Sequence, residues 1–463
     1  MRESPKLVET LDFTKVPVLE KLDLEDCINL PGVHPSIGVH KKLKVLSLKG
    51  CKNLKSLPSK FEMESLEIFI LSGCSKVKKI PEFGGNMECV RKLYLDGTAI
   101  TKLPASIENL NGLVSLKLKD CKNLVCLPNT IFNLKLLKEV DISRCSKFER
   151  LPENLGNAES VEKLDVSGTA IRHLPSSSGL LKNLKTLSLE GCKGLSSSNK
   201  SWYELIPFYS KPISPNPVGL SPLLGLCSLI ELNLRDCNLK TIPDDICSLF
   251  SLKELYLNGN KLVCLPENIG QLSRLLYLDL GENNLKCLPE SISQLTNLGV
   301  LKLGENNLKC LPESISHLTH LVVLNLRENN LKCLPESIGQ LTLLDELLLC
   351  ENDFVSLPES LGQLTELYAM DVTNCTRLKS LPELPIKIGR IRAKGCKSLE
   401  MFPDLSRPNA VSTLYLQNCF KLSENQGFID HFIAFIKRHP QVSLSLSLSL
   451  SLSLSLSLSL VNF

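Results

Sequence analysis

Nineteen cysteines and seven histidines are the residues of this 463-residue chain with the widest chemical reach, and their spacing separates ligation and catalysis from packing. No C-x-x-C pair, phosphate loop, HExxH or GxSxG sequence occurs, so the common redox, nucleotide, zinc-protease and hydrolase signatures are missing. His317 and His320 form the one histidine pair at helical spacing, but no third ligand comes with them. A solvated or packing role is expected there, with no metal and no cofactor. Cys264, Cys287, Cys310 and Cys333 recur every 23 residues. In stacked parallel coils they would form a ladder with neighbours about 5 Å apart, within disulfide reach. Their side chains would point the same way, and a buried cysteine acts as a small hydrophobe, so packing is the expected role.

The N-terminus, Met1-Arg2-Glu3-Ser4-Pro5-Lys6, has no apolar stretch followed by small residues, and no run of about eighteen apolar residues occurs. Reduced thiols in a cytosolic or nuclear compartment are therefore expected. Lys and Arg number 53 against 49 Asp and Glu. That balance gives no global field for nucleic acid or an anionic membrane, and neither is expected as a partner.

What must position these residues is a repeat. The pattern LxxLxLxx(C/N/T)xxLxxLP returns about every 23 residues, as in LKELYLNGNKLVCLP from Leu252, LLYLDLGENNLKCLP from Leu275, LGVLKLGENNLKCLP from Leu298 and LVVLNLRENNLKCLP from Leu321. Earlier copies carry Cys27, Cys51, Cys74, Cys121, Cys145 and Cys192 in the Asn column, interrupted by Thr98 and Thr169, and later copies return to Cys375, Cys396 and Cys419. Val90 to Val161 and Leu113 to Leu184 are both 71 residues apart, the mark of a duplicated three-repeat block.

In LxLxx, alternate leucines point into the coil and the residues between them point out. Each repeat thus supplies one short strand, and stacked strands form a parallel sheet. The small polar column can satisfy backbone groups in the turn that follows. LPESIGQLT then starts a helical turn after Pro, of 3-10 or short α type. The expected fold is an α/β leucine-rich repeat solenoid, a horseshoe with the parallel sheet on its concave face.

The organisation expected is two repeat blocks, 1–195 of Cys/Thr type and 229–422, separated by a Pro- and aromatic-rich insert at 196–228. Pro207, Pro212, Pro215 and Pro217 crowd this insert. It reads either as an excursion that packs Trp202 and Phe208 or as a protruding partner-binding loop anchored by Trp202, Tyr203 and Tyr209. A helix within 423–440, with Phe428, Phe432, Phe435 and Ile436 at helical spacing, would cap the open core or, alternatively, lie on a membrane surface. The Ser-Leu alternation of 441–463 reads as low complexity, pairing only as an aggregation-prone edge.

The outward residue between the strand leucines varies from repeat to repeat, which fits a large specific contact with a protein. Aromatic and cationic side chains are the expected contributors on the concave face: Tyr94, Lys117, Arg144, Arg235, Tyr256, Tyr277, Lys302, Arg327, Tyr368, Arg392 and Tyr415. No catalytic residue is assigned.

Several stretches resemble the leucine-rich domain of plant TIR-NBS-LRR disease-resistance receptors, the N-like intracellular immune sensors. They include KLKVLSLKGCKNLKSLPSKFEMESLEIFILSGCSKVKKIPEF, LYLDGTAITKLPASIENL, LDVSGTAIRHLPSS and LYLQNCFKLSENQ, and the likeness runs from about Ser4 to Gln426. The resemblance implies a sensor portion whose partner is a pathogen effector, a guarded host protein or a receptor's nucleotide-binding domain. Family members also carry a TIR domain that cleaves NAD and a domain that switches between ADP and ATP; no residue here matches either. The NCFKL segment at Asn418–Leu422 resembles the entrance to a post-repeat domain. A truncated relative or an incomplete gene model is implied. The rival implication is a free-standing intracellular scaffold like the plant Ras-group repeat proteins, suggested by the uniform LPESIGQLT copies from Leu265 to Leu364.

Overall fold

The computed structural model describes residues 2–196, 223, 225–404, 411–438 and 443–446. Two compact units are present, Met1–Leu239 and Lys240–Phe463.

In the first unit the described strands are Lys21–Asp23, Val45–Ser47, Ile68–Ile70, Lys92–Tyr94, Ser115–Lys117, Glu139–Asp141, Lys163–Asp165, Thr186–Ser188 and Glu231–Asn233, paired in parallel in chain order. The second unit repeats the plan with Glu254–Tyr256, Tyr277–Asp279, Val300–Lys302, Val323–Asn325, Glu346–Leu348, Ala369–Asp371, Arg390–Arg392 and Thr413–Leu416. The middle residue of each three-residue strand is buried and, in most of them, the outer two are half-buried or exposed, as the two-residue period requires. Leu46, Leu116, Leu278 and Leu324 are among the buried set. This is a leucine-rich repeat stack in both units.

Lys60–Phe61 and Glu82–Phe83 pair as a two-stranded parallel ladder, but most described return segments contain 3-10 helices, among them Ala105–Asn109, Glu290–Gln294, Glu313–His317 and Glu336–Gln340. Each is five residues long, too short to close several α-type turns, and 3-10 bonding suits such pieces. Proline occupies the N-cap rather than the first turn: the carbonyls of Pro289, Pro312 and Pro335 accept from the amides of Ile292, Ile315 and Ile338, each at 3.1 Å. Ile, buried in every case, anchors the segment to the leucine core.

The polar column joins one coil to the next. The Asn306 amide nitrogen donates to Leu280 O at 2.9 Å in the preceding coil and to Leu303 O at 3.0 Å in its own, while its oxygen accepts from Leu285 N at 2.9 Å. Asn283, Asn329 and Asn352 repeat these bonds. Cysteine in the same place keeps the cross-coil bond: the thiols of Cys51, Cys74 and Cys396 donate to Leu24 O, Leu48 O and Val372 O at 3.1, 2.9 and 3.0 Å. Burial pushes the Cys74 and Cys375 thiols up to about 12, so these sulfurs stay protonated donors.

The second unit ends in an α-helix, Gln426–Arg438, whose first amides are capped by the Asn425 side chain, 3.1 Å from Phe428 N. Phe428, Ile429, Phe432, Ile433 and Phe435 are buried, and Phe402, Phe428, Phe432 and Phe435 form a run of ring contacts with centroids 5.2–6.2 Å apart. Ser443–Leu446, the start of the Ser-Leu tract, pairs in parallel with Thr413–Leu416 and extends the sheet by one strand. The tract therefore begins as backbone ladder, which its perfect two-residue alternation permits.

Candidate protein-recognition surface

The second unit gathers most of the aromatic and cationic positions on one sheet face. Tyr256 and Tyr277 stand on neighbouring strands with ring centroids 5.0 Å apart and planes tilted by 40°. Their hydroxyls donate to Glu254 Oε2 at 2.8 Å and Asp279 Oδ2 at 3.3 Å, which fixes both rings. On the next strand Lys302 Nζ sits 5.2 Å from the Tyr277 ring centroid and 3.9 Å from Asp279 Oδ2. An offset aromatic pair contributes about 0.5–1.5 kcal/mol beyond its burial, and an exposed cation over a ring about 0.5–1 kcal/mol. The cluster is thus ordered by its own contacts, and both tyrosines keep part of their surface open.

Further along, Arg390 lies 5.9 Å from the Tyr368 ring and Arg392 5.9 Å from the Tyr415 ring, with Arg392 also 3.6 Å from Asp371. Tyr368 precedes its strand, and its ring covers Gly389; a Cβ there would stand 2.1 Å from Cε2. Arg327 lies two residues past its strand and pairs with Glu305, its stem resting on Gly304, where a Cβ would be 2.7 Å from Cγ. Between the two groups the outward positions are mixed: apolar Val300, Val323 and Leu348 are half-buried, as are polar Asn325 and Glu346, and Val322 is exposed. Five strand spacings of about 4.8 Å separate Tyr277 from Arg390, a span of about 24 Å.

The face of the first unit is charged instead. Lys117 Nζ lies 2.6 Å from Glu139 Oε1 and 3.8 Å from Asp141 Oδ2, and Ser115 Oγ donates to Glu139 at 3.0 Å. Burial works against the Glu139 charge, yet the Lys117 and Ser115 hydrogen bonds hold its carboxyl below the ordinary range. A shallow cavity of about 330 Å³ is lined by Lys117, Glu139, Asp141, Lys163, Asp165 and Glu190, among others. Asp141 and Asp165 oppose each other in register, and each turns an oxygen to its own Ser143 or Ser167 amide, at 3.0 and 2.9 Å. Tyr94 is the half-buried last residue of its strand.

Arg144, Arg235 and Arg327 depart from the expected placement. All three lie beyond the strand ends, and Arg144 adopts φ 60° in the turn, 3.8 Å from Asp120. Arg235 is 3.4 Å from Asp236. The turn that follows each strand needs a left-handed residue, and sequence reasoning overlooked this column. It includes Asp26, Gly50, Asp120, Arg144 and Gly168 in the first unit and Glu282, Glu305, Glu328 and Glu351 in the second. Gly and Asp at that place were a signal; the glutamates, unusual at positive φ, hid it. Trp202, Tyr203 and Tyr209 lie outside the described residues.

The expected packing role of Cys264, Cys287, Cys310 and Cys333 is also corrected, because all four thiols are exposed. They fall between the inward leucines Leu262 and Leu265 and their counterparts, where the strand-like alternation turns a side chain to solvent. The buried cysteines are those of the turn column and Cys247, which lies in the 3-10 helix Asp244–Ser248. His320 Nδ1 donates to Thr296 O, 2.8 Å away, on an exposed site. Among the described residues no group of three or more His, Cys, Asp or Glu is arranged to hold a metal ion, and no helix is long and apolar enough to cross a membrane.

Known proteins share this coil. The description "Disease resistance protein RPS4B-like, leucine-rich repeats" matches residues 61–150, and leucine-rich repeat descriptions match 213–326 and 320–341. The chain is a leucine-rich repeat protein. Its repeats are similar to those of plant disease-resistance proteins: TMV resistance protein N of Nicotiana glutinosa is 38% identical over 249 residues, covering 53% of this chain and 20% of the relative. Disease resistance protein RPP2A of Arabidopsis thaliana is 40% identical over 124 residues, 27% of this chain and 9% of the relative. This leucine-rich repeat chain therefore spans a fifth or less of those two relatives. Among solved structures, a leucine-rich repeat protein of Leptospira interrogans superposes with a TM-score of 0.69 at 28% identity, covering 87% of this chain and 95% of its own.

Proposed function

We propose that this leucine-rich repeat chain is the protein-recognition portion of a plant intracellular immune receptor, binding a pathogen effector, a guarded host protein or a receptor's nucleotide-binding domain through its sheet faces. The observation that carries the reading is the ordered cluster of Tyr256, Tyr277 and Lys302, with Arg327 held to Glu305 one coil beyond Lys302, none of which the coil itself requires. Tyrosine and arginine beside half-buried Val300 and Val323 have the composition of binding hot spots, and the preset tyrosine rings reduce the ordering cost of association. Similarity to resistance proteins along the repeats supports the immune setting. A cytosolic or nuclear site of action accompanies this reading.

The test is biolayer interferometry of the immobilised chain against purified nucleotide-binding domains and effectors of resistance proteins with similar repeats. Tyr256→Ala with Arg327→Ala should weaken a binder by at least about thirtyfold, the scale of a hot spot of about 2 kcal/mol. Leu343→Ala, at an exposed site after the 3-10 helix Glu336–Gln340, should leave affinity unchanged. Affinity indifferent to the tyrosine–arginine pair would sink the sheet-face assignment.

A further inference from the structure

Among the described residues, Ser443–Leu446 ends the sheet of the second unit and pairs with Thr413–Leu416 alone. Ser443 N–H donates to Ser412 O at 2.8 Å, which turns the backbone polar groups of Ser443 and Ser445 toward that neighbour. In a parallel ladder alternate residues bond to opposite sides, so the N–H and C=O of Leu444 and Leu446 point away from it. An open row of this kind is a template for another strand.

Nothing in the strand guards that row. Edge strands are ordinarily blunted by charge, proline or a bulge. In the first unit the end strand Lys21–Asp23 follows the rule: Arg2 Nη2 lies 2.6 Å from Asp23 Oδ2, and Glu3 N donates to Glu25 O at 2.7 Å. From Ser443 to Leu460 the sequence holds only serine and leucine, with no charge and no proline. Nor does it hold the glycine, asparagine or aspartate that a tight turn requires, so it offers no means of reversing to cover its own edge. The complement then comes from another chain.

The strand is its own best complement. Ser443 and Ser445 stand in register with half-buried Thr413 and Tyr415, and Leu444 and Leu446 with buried Leu414 and Leu416. A two-fold axis normal to the sheet sets two such edges antiparallel and keeps each face on its own side. Serine then opposes serine, and leucine opposes leucine, in every register related by two residues. From the unguarded row and this self-match, we propose that Ser443–Leu446 pairs antiparallel with the same segment of a second copy, joining the two sheets into one. Each chain contributes one such row, so the assembly closes at two copies. This inference is independent of the partner-binding reading.

The test is sedimentation velocity of the full chain in reductant, which keeps the exposed thiols from linking copies. Wild type should sediment as a pair of 51.3 kDa chains and dissociate on dilution. Leu444→Pro with Leu446→Pro removes two outward N–H groups, leaves the bonds to Thr413–Leu416 in place, and should yield single chains. Ser443→Lys with Ser445→Lys, and separately Ser443→Glu with Ser445→Glu, should each sediment as single chains, because like charges then face each other across the pair. Mixing the lysine chain with the glutamate chain should restore a one-to-one pair, which general stickiness of the tract does not do. Wild type that stays single at its highest soluble concentration, proline variants that pair as wild type does, or charged chains that fail to recombine on mixing would overturn the proposal. So would assemblies larger than two copies.

Discussion

Replacing Asn306 by alanine tests whether the polar column, rather than leucine burial alone, registers one coil on the next. The side chain makes three good hydrogen bonds, two of them to the preceding coil, at 2.9, 3.0 and 2.9 Å. Each contributes about 1 kcal/mol net, and the backbone groups left behind are buried, so Asn306→Ala should cost about 3 kcal/mol. Asn306→Cys should cost about 2 kcal/mol, because cysteine at this place retains one cross-coil bond, as Cys375 does to Leu349 O at 3.3 Å. Tyr256→Ala, on the face, removes an aromatic pair worth about 1 kcal/mol. Urea unfolding would rank the variants, and amide exchange at Leu285 would report the site itself, since a loss of about 3 kcal/mol accelerates local opening by about a hundredfold or more. An alanine variant within about 0.5 kcal/mol of wild type, or a cysteine variant as unstable as alanine, refutes the reasoning.

Three other outcomes follow from the same structure. In the folded, reduced chain, Ellman's reagent should titrate the seven exposed thiols rapidly and the eleven buried ones only after denaturation, with half-buried Cys350 between them. Glu162 is held down to about 2 by hydrogen bonds from Lys185 and Lys138, so its stabilising charge is present throughout the ordinary carboxylate range and disappears as pH falls toward 2. A carboxyl-carbon NMR titration should find that midpoint, and Lys138→Met with Lys185→Met should return it toward 4.5. Phe432→Ala removes a buried ring from the C-terminal cap and should destabilise the second unit by about 3–5 kcal/mol, seen as faster exchange in the last coils.

The inward columns are legible in the sequence because burial leaves leucine few substitutes, so Leu255, Leu278, Leu301 and Leu324 announce both strand and period. The type of return segment is not legible, since ESISQ suits either helix; the five-residue length left after the Pro cap decides for 3-10 bonding. Cys264 and its equivalents mislead because cysteine is at home on either side of a strand, and only the position between Leu262 and Leu265 assigns it to solvent. Arg144 misleads differently. Counted from the leucines it looks like a neighbour of the face, but the left-handed turn at φ 60° carries it off the strand.

The geometry separates what may vary from what may not. Asn283, Asn306, Asn329 and Asn352 make the same bond to the preceding coil at 3.0, 2.9, 3.0 and 2.9 Å. Over those same coils the outward strand position changes from Asp279 to Lys302, Asn325 and Leu348, an acid, a base, an amide and an aliphatic chain. Neighbouring positions share a ladder register without disturbing a single bond of the inner column. A change on the face therefore has little effect on the coil, whereas a change in the column reaches two coils at once. Side chains can change at Tyr256, Lys302 or Arg392 while the leucine and Asn columns stay fixed, so under the proposed recognition role the face could alter its selectivity without altering the coil.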